Sequence, residues 1–110
     1  MKRDLTELNK LEAYLKEKGI EHTREDKDNT YTAEMWTHMI DVFGAANVEP
    51  MDIHQIAVFD NGRRSWDVIC QRGSYGCEEG LLEGMGDLFE PDVEGFLTAA
   101  DVIKKIKEAK

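Results

Sequence analysis

Two runs decide the fold: Asp52-Ile53-His54-Gln55-Ile56-Ala57-Val58-Phe59 and Arg64-Ser65-Trp66-Asp67-Val68-Ile69-Cys70-Gln71, on either side of Asp60-Asn61-Gly62. Both are rich in β-branched and aromatic residues, and Asn-Gly takes the positive φ angles of a tight hairpin turn at little cost. Register then sets the faces. A two-residue Asn-Gly loop pairs Ala57 with Trp66 and Ile56 with Asp67, mixing apolar and polar positions. A three-residue loop with Gly62 left-handed pairs Ile56 with Trp66. It gathers Ile56, Val58, Trp66 and Val68 on one face, with His54 and Cys70 toward its far end. A one-residue slip turns every side chain over, so the segregated pattern, and with it the odd loop, is expected. Ile53, Phe59 and Ile69 on the second face suggest cover on both sides.

Toward the N-terminus, Leu5, Leu8, Leu11, Tyr14 and Leu15 repeat at helical spacing. The pattern predicts an amphipathic helix from Leu5 to Lys18, opened by an Asp4/Glu7 capping box and stopped at Gly19. Ile20 to Arg24 reads as a short strand and Glu25 to Thr30 as a solvated loop. Met35, Trp36, Met39, Ile40 and Phe43 restore the helical period, with Thr32 as N-cap and Gly44 as stop. Beyond the hairpin, Cys77, Leu81, Leu82 and Met85 predict a helix from Cys77 to Met85, weakened by Gly80 and Gly84. Gly86 to Pro91 reads as a turn and Val93 to Leu97 as a short edge strand. Thr98 and Asp101 then open a last helix whose buried face is Val102, Ile103 and Ile106. The fold expected is a single α+β domain over 1–110, a short antiparallel sheet packed by N-terminal, middle and C-terminal helices.

The chain has 110 residues, 41% hydrophobic and 34% charged, with a formal net charge of −9 and a pI near 4.7. That balance argues against binding nucleic acid directly, which needs Lys and Arg to displace counterions, and against anionic membranes. No apolar run approaches the roughly 20 residues of a membrane span. No signal peptide is read at the N-terminus, so Cys70 and Cys77 are expected as reduced thiols in a cytoplasmic protein. Neither they nor the three scattered histidines have the spacing of a metal site, and no cofactor is implied. Acidity itself has two readings: a charge that keeps the protein soluble, or a carboxylate surface offered to a basic partner.

Four features are candidate sites. Arg72-Gly73-Ser74-Tyr75-Gly76, between strand and predicted helix, is the kind of turn that accepts an anion, with Arg72, Gly73, Ser74 and Gly76 as its contacts. The plainer reading is a tight turn in which the glycines take positive φ. The acidic series that includes Glu79, Glu83 and Asp87 is a partner-binding candidate, Glu79 and Glu83 sharing a helix face. Trp36, with Met35 and Met39, is either core or an exposed partner-binding patch. His54 and Cys70 share a hairpin face, but spacing supplies no group to orient the histidine as a base, so no catalytic residue is assigned.

The segments from His54 to Asp60, Trp66 to Cys70, Arg72 to Gly76, Glu78 to Glu83 and Val93 to Ala99 together resemble small proteins of phages and prophages of Gram-positive, gut-type bacteria. The likeness covers about half the chain, misses Tyr31 to Val48, and brings no activity and no site residue with it. It implies a neighbourhood of short acidic accessory proteins that act by binding, anti-CRISPR and other counter-defence factors among them. The expectation is therefore a non-enzymatic protein that binds and inhibits a host protein, such as a defence nuclease, in the host cytoplasm. The alternatives are a binder of a nucleotide signal using the Arg72–Gly76 turn, and a structural or regulatory homodimer formed through the Trp36 face.

Overall fold

The computed structural model describes residues 3–109; Met1, Lys2 and Lys110, the last of the C-terminal lysines, lie outside them. Among the described residues three α-helices, α1 (Thr6–Glu17), α2 (Ala33–Phe43) and α3 (Ala99–Glu108), accompany five strands. These are β1 (His22–Lys27), β2 (Ile53–Asp60), β3 (Arg63–Ile69), β4 (Leu82–Gly86) and β5 (Glu94–Leu97). The sheet order is β1-β2-β3-β4-β5 and every neighbouring pair is antiparallel, an α+β meander.

The hairpin keeps the expected face by a different device. Asp60 pairs with Arg63 and Phe59 with Arg64, so the turn is the two-residue Asn61-Gly62 loop, with φ of 53° and 77°. The register then shifts, and Val58 pairs with Trp66 and Ile56 with Val68. Ser65 is the extra residue of a β-bulge. The turn chemistry and the hydrophobic face are thus both satisfied, and the odd loop is replaced by an even loop plus one bulged residue. Ile56, Val58, Trp66, Val68, His54 and Cys70 are all buried. On the other face Ile53, Phe59 and Ile69 are only half-buried, beside a Gln55–Asp67 side-chain hydrogen bond of 2.7 Å.

The core lies between that inner face and two helices. Leu8, Leu11 and Leu15 of α1 and Ala99, Val102 and Ile106 of α3 are buried against it, with Leu82, Phe89 and Leu97 closing the β4–β5 end. The Trp66 and Phe89 rings meet edge to face at 5.8 Å. α3 begins with the expected capping box: Asp101 N–H donates to Thr98 Oγ1 (3.1 Å) and Thr98 N–H to Asp101 Oδ2 (2.9 Å). The box expected on α1 does not form. Asp4 instead accepts from Thr6 N–H at 3.0 Å, and Glu7 reaches across to Ala99 N–H at 2.8 Å, tying the two helix starts together.

Two expectations about secondary structure are corrected. The strand read at Ile20–Arg24 runs His22–Lys27, taking in half of the presumed loop, because Glu25, Asp26 and Lys27 continue the ladder to Gln55, His54 and Ile53. The helix read at Cys77–Met85 is a single 3-10 turn at Cys77–Glu79 followed by β4. Gly80 takes a left-handed φ of 73°, which breaks any helix there. Leu82 and Gly84 then alternate inward, and Gly84 leaves room for the Phe89 ring, which a Cβ at that position would overlap. Gly84→Ala is therefore expected to destabilise the domain by about 1–3 kcal/mol, read as a lower urea midpoint at unchanged slope. An unaltered midpoint would mean that the ring does not fill this space.

Candidate functional site

α2 stands apart from this core. It lies on an arm, residues 28–52, inserted between the neighbouring strands β1 and β2. The arm is pinned at its stem, where Thr30 N–H donates to Met51 O (2.7 Å) and Asn29 Oδ1 accepts from Tyr31 N–H (3.0 Å) and Met51 N–H (3.4 Å). Thr32 caps the helix by accepting from Met35 N–H at 3.1 Å, and Gly44, at φ 85°, ends it, both as the sequence predicts. Asn47 Nδ2 donates to Phe43 O at 2.9 Å and closes the C-terminal turn.

The side chains of α2 sort sharply. Met35, Trp36, Met39, Ile40, Val42 and Phe43 share one broad arc of the helix, and Glu34, Thr37, His38 and Asp41 occupy the other. Trp36 stacks on Tyr31 at 6.1 Å and, like Met39 and Ile40, is half-buried. Met35, Val42 and Phe43 are exposed by 49%, 57% and 60%. No residue of α2 is buried, so Trp36 and its neighbours are not core. The molecule's extents of 52 × 27 × 26 Å fit an arm carried outside a small core.

The Arg72–Gly76 turn is the tight turn of the plainer reading. Gly73 and Gly76 take φ of 88° and 93°, and the buried Ser74 hydroxyl donates to Gln71 O (2.7 Å) and accepts from Gln71 N–H (3.0 Å). The donors that would hold an anion are engaged by the protein's own acceptors, two carboxylates and a backbone carbonyl. Arg72 N–H donates to Asp52 (2.9 Å), Tyr75 N–H to Glu83 (2.9 Å), and the Arg72 guanidinium reaches Glu49 O at 3.1 Å. The helix start expected there is only the three-residue turn Cys77–Glu79. The acidic trio is dispersed for the same reason. Glu79 is exposed on that turn, Glu83 lies in β4 under Tyr75, and Asp87 accepts from Ser65 Oγ at the hairpin bulge (3.2 Å). Glu79 and Glu83 therefore share no helix face.

A polar network at the foot of the arm has no counterpart in the sequence reading. Asp52 is buried, and Arg3 clamps it with two hydrogen bonds of 2.9 and 3.0 Å. His54, also buried, has Nδ1 at 2.7 Å from Asp26 and Nε2 at 3.4 Å from Asp52 and 4.0 Å from Asp28. Arg24 holds Asp26 at 2.8 Å and extends to Glu12 of α1 at 3.1 Å. Both ends of the arm are thus fastened to β2 and to the N-terminal segment by charge-assisted bonds. Arg3, Leu5, Arg24, Asp26, Asp28 and His54 line a cleft of about 330 Å³. The periodicity of the sequence marks His54 as inward-facing, but nothing in it joins Arg3 to Asp52 or Asp26 to His54.

His54 and Cys70 lie side by side on the face, joined by Cys70 N–H donating to His54 O (3.0 Å), while the thiol points to Asp4 O (3.6 Å). Burial pushes the Cys70 thiol up to about 11, so it stays protonated at neutral pH. Among the described residues no group of three or more His, Cys, Asp or Glu is arranged to hold a metal, and no helix is long and apolar enough to cross a membrane. Comparison with family models, curated proteins and solved structures finds no match.

Burial opposes the charge on Asp52, but the Arg3 guanidinium and the Arg72 N–H outweigh it and hold the carboxyl below its ordinary value. Asp26 is lowered in the same way by His54 and Arg24. Stability from a depressed carboxyl is complete above its unfolded value of about 3.9 and is lost as pH falls through the lower folded value. Asp52→Asn should cost about 2 kcal/mol at pH 7 and flatten the loss of stability below about pH 4. Urea titrations across that range check both; an undiminished acid dependence would place its source elsewhere.

Proposed function

We propose that the chain is a non-enzymatic protein-binding protein that engages a host factor through α2. The observation that carries this reading is an amphipathic helix whose apolar arc covers no core. An isolated helix of 11 residues is marginal in water, and a helix so patterned normally buries its stripe. Fully burying a side chain such as Val42 or Phe43 is worth about 1.5–3 kcal/mol, and here that gain is held over for a partner. Aromatic and Met side chains at helical spacing are the anchors of helix-in-groove recognition, and Met adapts to irregular pockets.

The contact thereby moves from the dispersed trio Glu79, Glu83 and Asp87 to the arm, where Trp36 was already a candidate. The class of partner, a host protein such as a defence nuclease inhibited by a phage-type accessory protein, rests on the sequence resemblance. Inhibition would follow from a helix occupying a groove that the host protein needs. The protonated Cys70 supports a binding role over a nucleophilic one. Nucleotide binding is the less supported alternative, because the Arg72 turn spends its donors internally.

Met35→Glu with Phe43→Glu tests the proposal. Wild-type protein immobilised on resin should retain a host protein from lysate, and the double variant should lose it by at least about thirtyfold. Both positions are exposed, so unfolding stability should shift by no more than about 0.5 kcal/mol. Retention by both proteins alike would end the α2 reading.

A further inference from the structure

We infer that His54 is a proton-dependent clamp on the foot of the arm, closed while its imidazole carries both protons and loosened when it gives one up. The ring lies between the two ends of the arm. Its Nδ1 is 2.7 Å from Asp26 Oδ1, on the strand that leads into the arm. Its Nε2 is 3.4 Å from Asp52 Oδ2, where the arm rejoins the sheet, and 4.0 Å from Asp28 Oδ1. A neutral imidazole has one N–H and one lone pair. It can donate to one side only and turns its lone pair on a carboxylate at the other. The imidazolium donates to both. The His54 side chain is 4% exposed, so water has little access to replace the missing bond.

The surrounding charges favour the same form. Arg24, at 2.8 Å, answers Asp26, and Arg3, at 2.9 Å, answers Asp52. Among the described residues Asp28 pairs with no Lys or Arg, so it meets a cation only in protonated His54. On β3 the Cys70 thiol, which burial pushes up to about 11, is uncharged, and Gln71 Oε1 accepts the His54 N–H at 3.2 Å. On α1, Glu12 is joined to Arg24 and to His22, at 3.1 and 3.2 Å.

Despite their burial, Asp26 and Asp52 are held below the ordinary carboxylate value by their hydrogen bonds. Both therefore stay ionised between about pH 5 and 8, the range in which histidine exchanges its proton. Bonds that only the imidazolium makes are present at the acid end of that range and are lost as pH rises. The stem of the arm then opens more often, at Thr30 N–H to Met51 O and Met51 N–H to Asn29 Oδ1, and the placing of α2 becomes sensitive to pH.

Amide exchange resolved by NMR on the intact chain, corrected for the intrinsic rate at each pH, tests the clamp. In the wild type, protection of the Thr30 and Met51 amides should fall about tenfold between about pH 5.5 and 8, as loss of one charge-assisted bond predicts. His54→Gln should abolish that dependence, and His22→Gln should leave it in place. Constant protection in the wild type overturns the clamp. So does a dependence that survives His54→Gln, since it then belongs to His22 or to the exposed His38. Should His54→Gln fail to fold, the wild type decides alone. Ring 15N shifts should show both His54 nitrogens protonated near the acid end, with loss of one proton coinciding with the fall in stem protection. A ring already neutral there, or one that loses its proton with no change at Thr30 and Met51, overturns the proposal.

Discussion

The structure depends on the register of one hairpin. With Asn61 and Gly62 forming the turn and Ser65 bulged, Ile56, Val58, Trp66 and Val68 fall on one face. Without the bulge, the same turn would set Ser65 opposite Val58 and leave the inner face of one strand paired with the outer face of the other. Everything else is laid against that face. α1 and α3 bury their leucine, valine and isoleucine positions on it, β4 extends it from Trp66, and Gly84 makes room for Phe89 beside the indole. β1 joins the other edge, and the arm leaves between two strands whose pairing is already fixed.

That placement gives the arm its character. Its two ends are neighbours in the ladder, since Asp26 lies opposite His54 and Lys27 opposite Ile53. They are further clamped by Arg3–Asp52 and Asp26–His54, with Arg24 linking the clamp to Glu12 on α1. A rigid foot lowers the entropy lost when the helix above it is immobilised in a complex. The domain thus combines a core that needs nothing from α2 with a stem that holds α2 in place.

Much of the fold is legible in the sequence because it is local. The α1 and α3 stripes, the Thr32 and Thr98 caps, the place of the hairpin turn and the division of the hairpin into faces each follow from local spacing. The length of the turn is misread, because the bulge at Ser65 that reconciles a two-residue Asn61-Gly62 loop with the apolar face leaves no mark in the pattern. The β4 region is misread because Cys77, Leu81, Leu82 and Met85 mimic a helical stripe, while the reason for a strand, space for Phe89 under Gly84, is tertiary. β1 is extended by pairing with β2 despite its charge-rich sequence, which has no strand pattern of its own. For the site, Trp36 and the amphipathic arc are visible, but their exposure is not. Periodicity reports which side of a helix is apolar, never whether anything covers it. The Arg3, Asp26, Asp52 and His54 network joins residues up to 51 positions apart and leaves no spacing to read. The acidic trio fails for the converse reason, since its common face depended on a helix that does not form.

The central claim is that α2 in the free protein covers no core and acquires its cover from a partner. Amide hydrogen exchange on the free monomer tests this most directly, since protection reports local opening. The account predicts that residues 33–43 exchange far faster than the buried turns of α1 and α3, which open only with the domain. Protection of α2 equal to that of α1 in the monomer would contradict it, by showing that the helix is already held against the body.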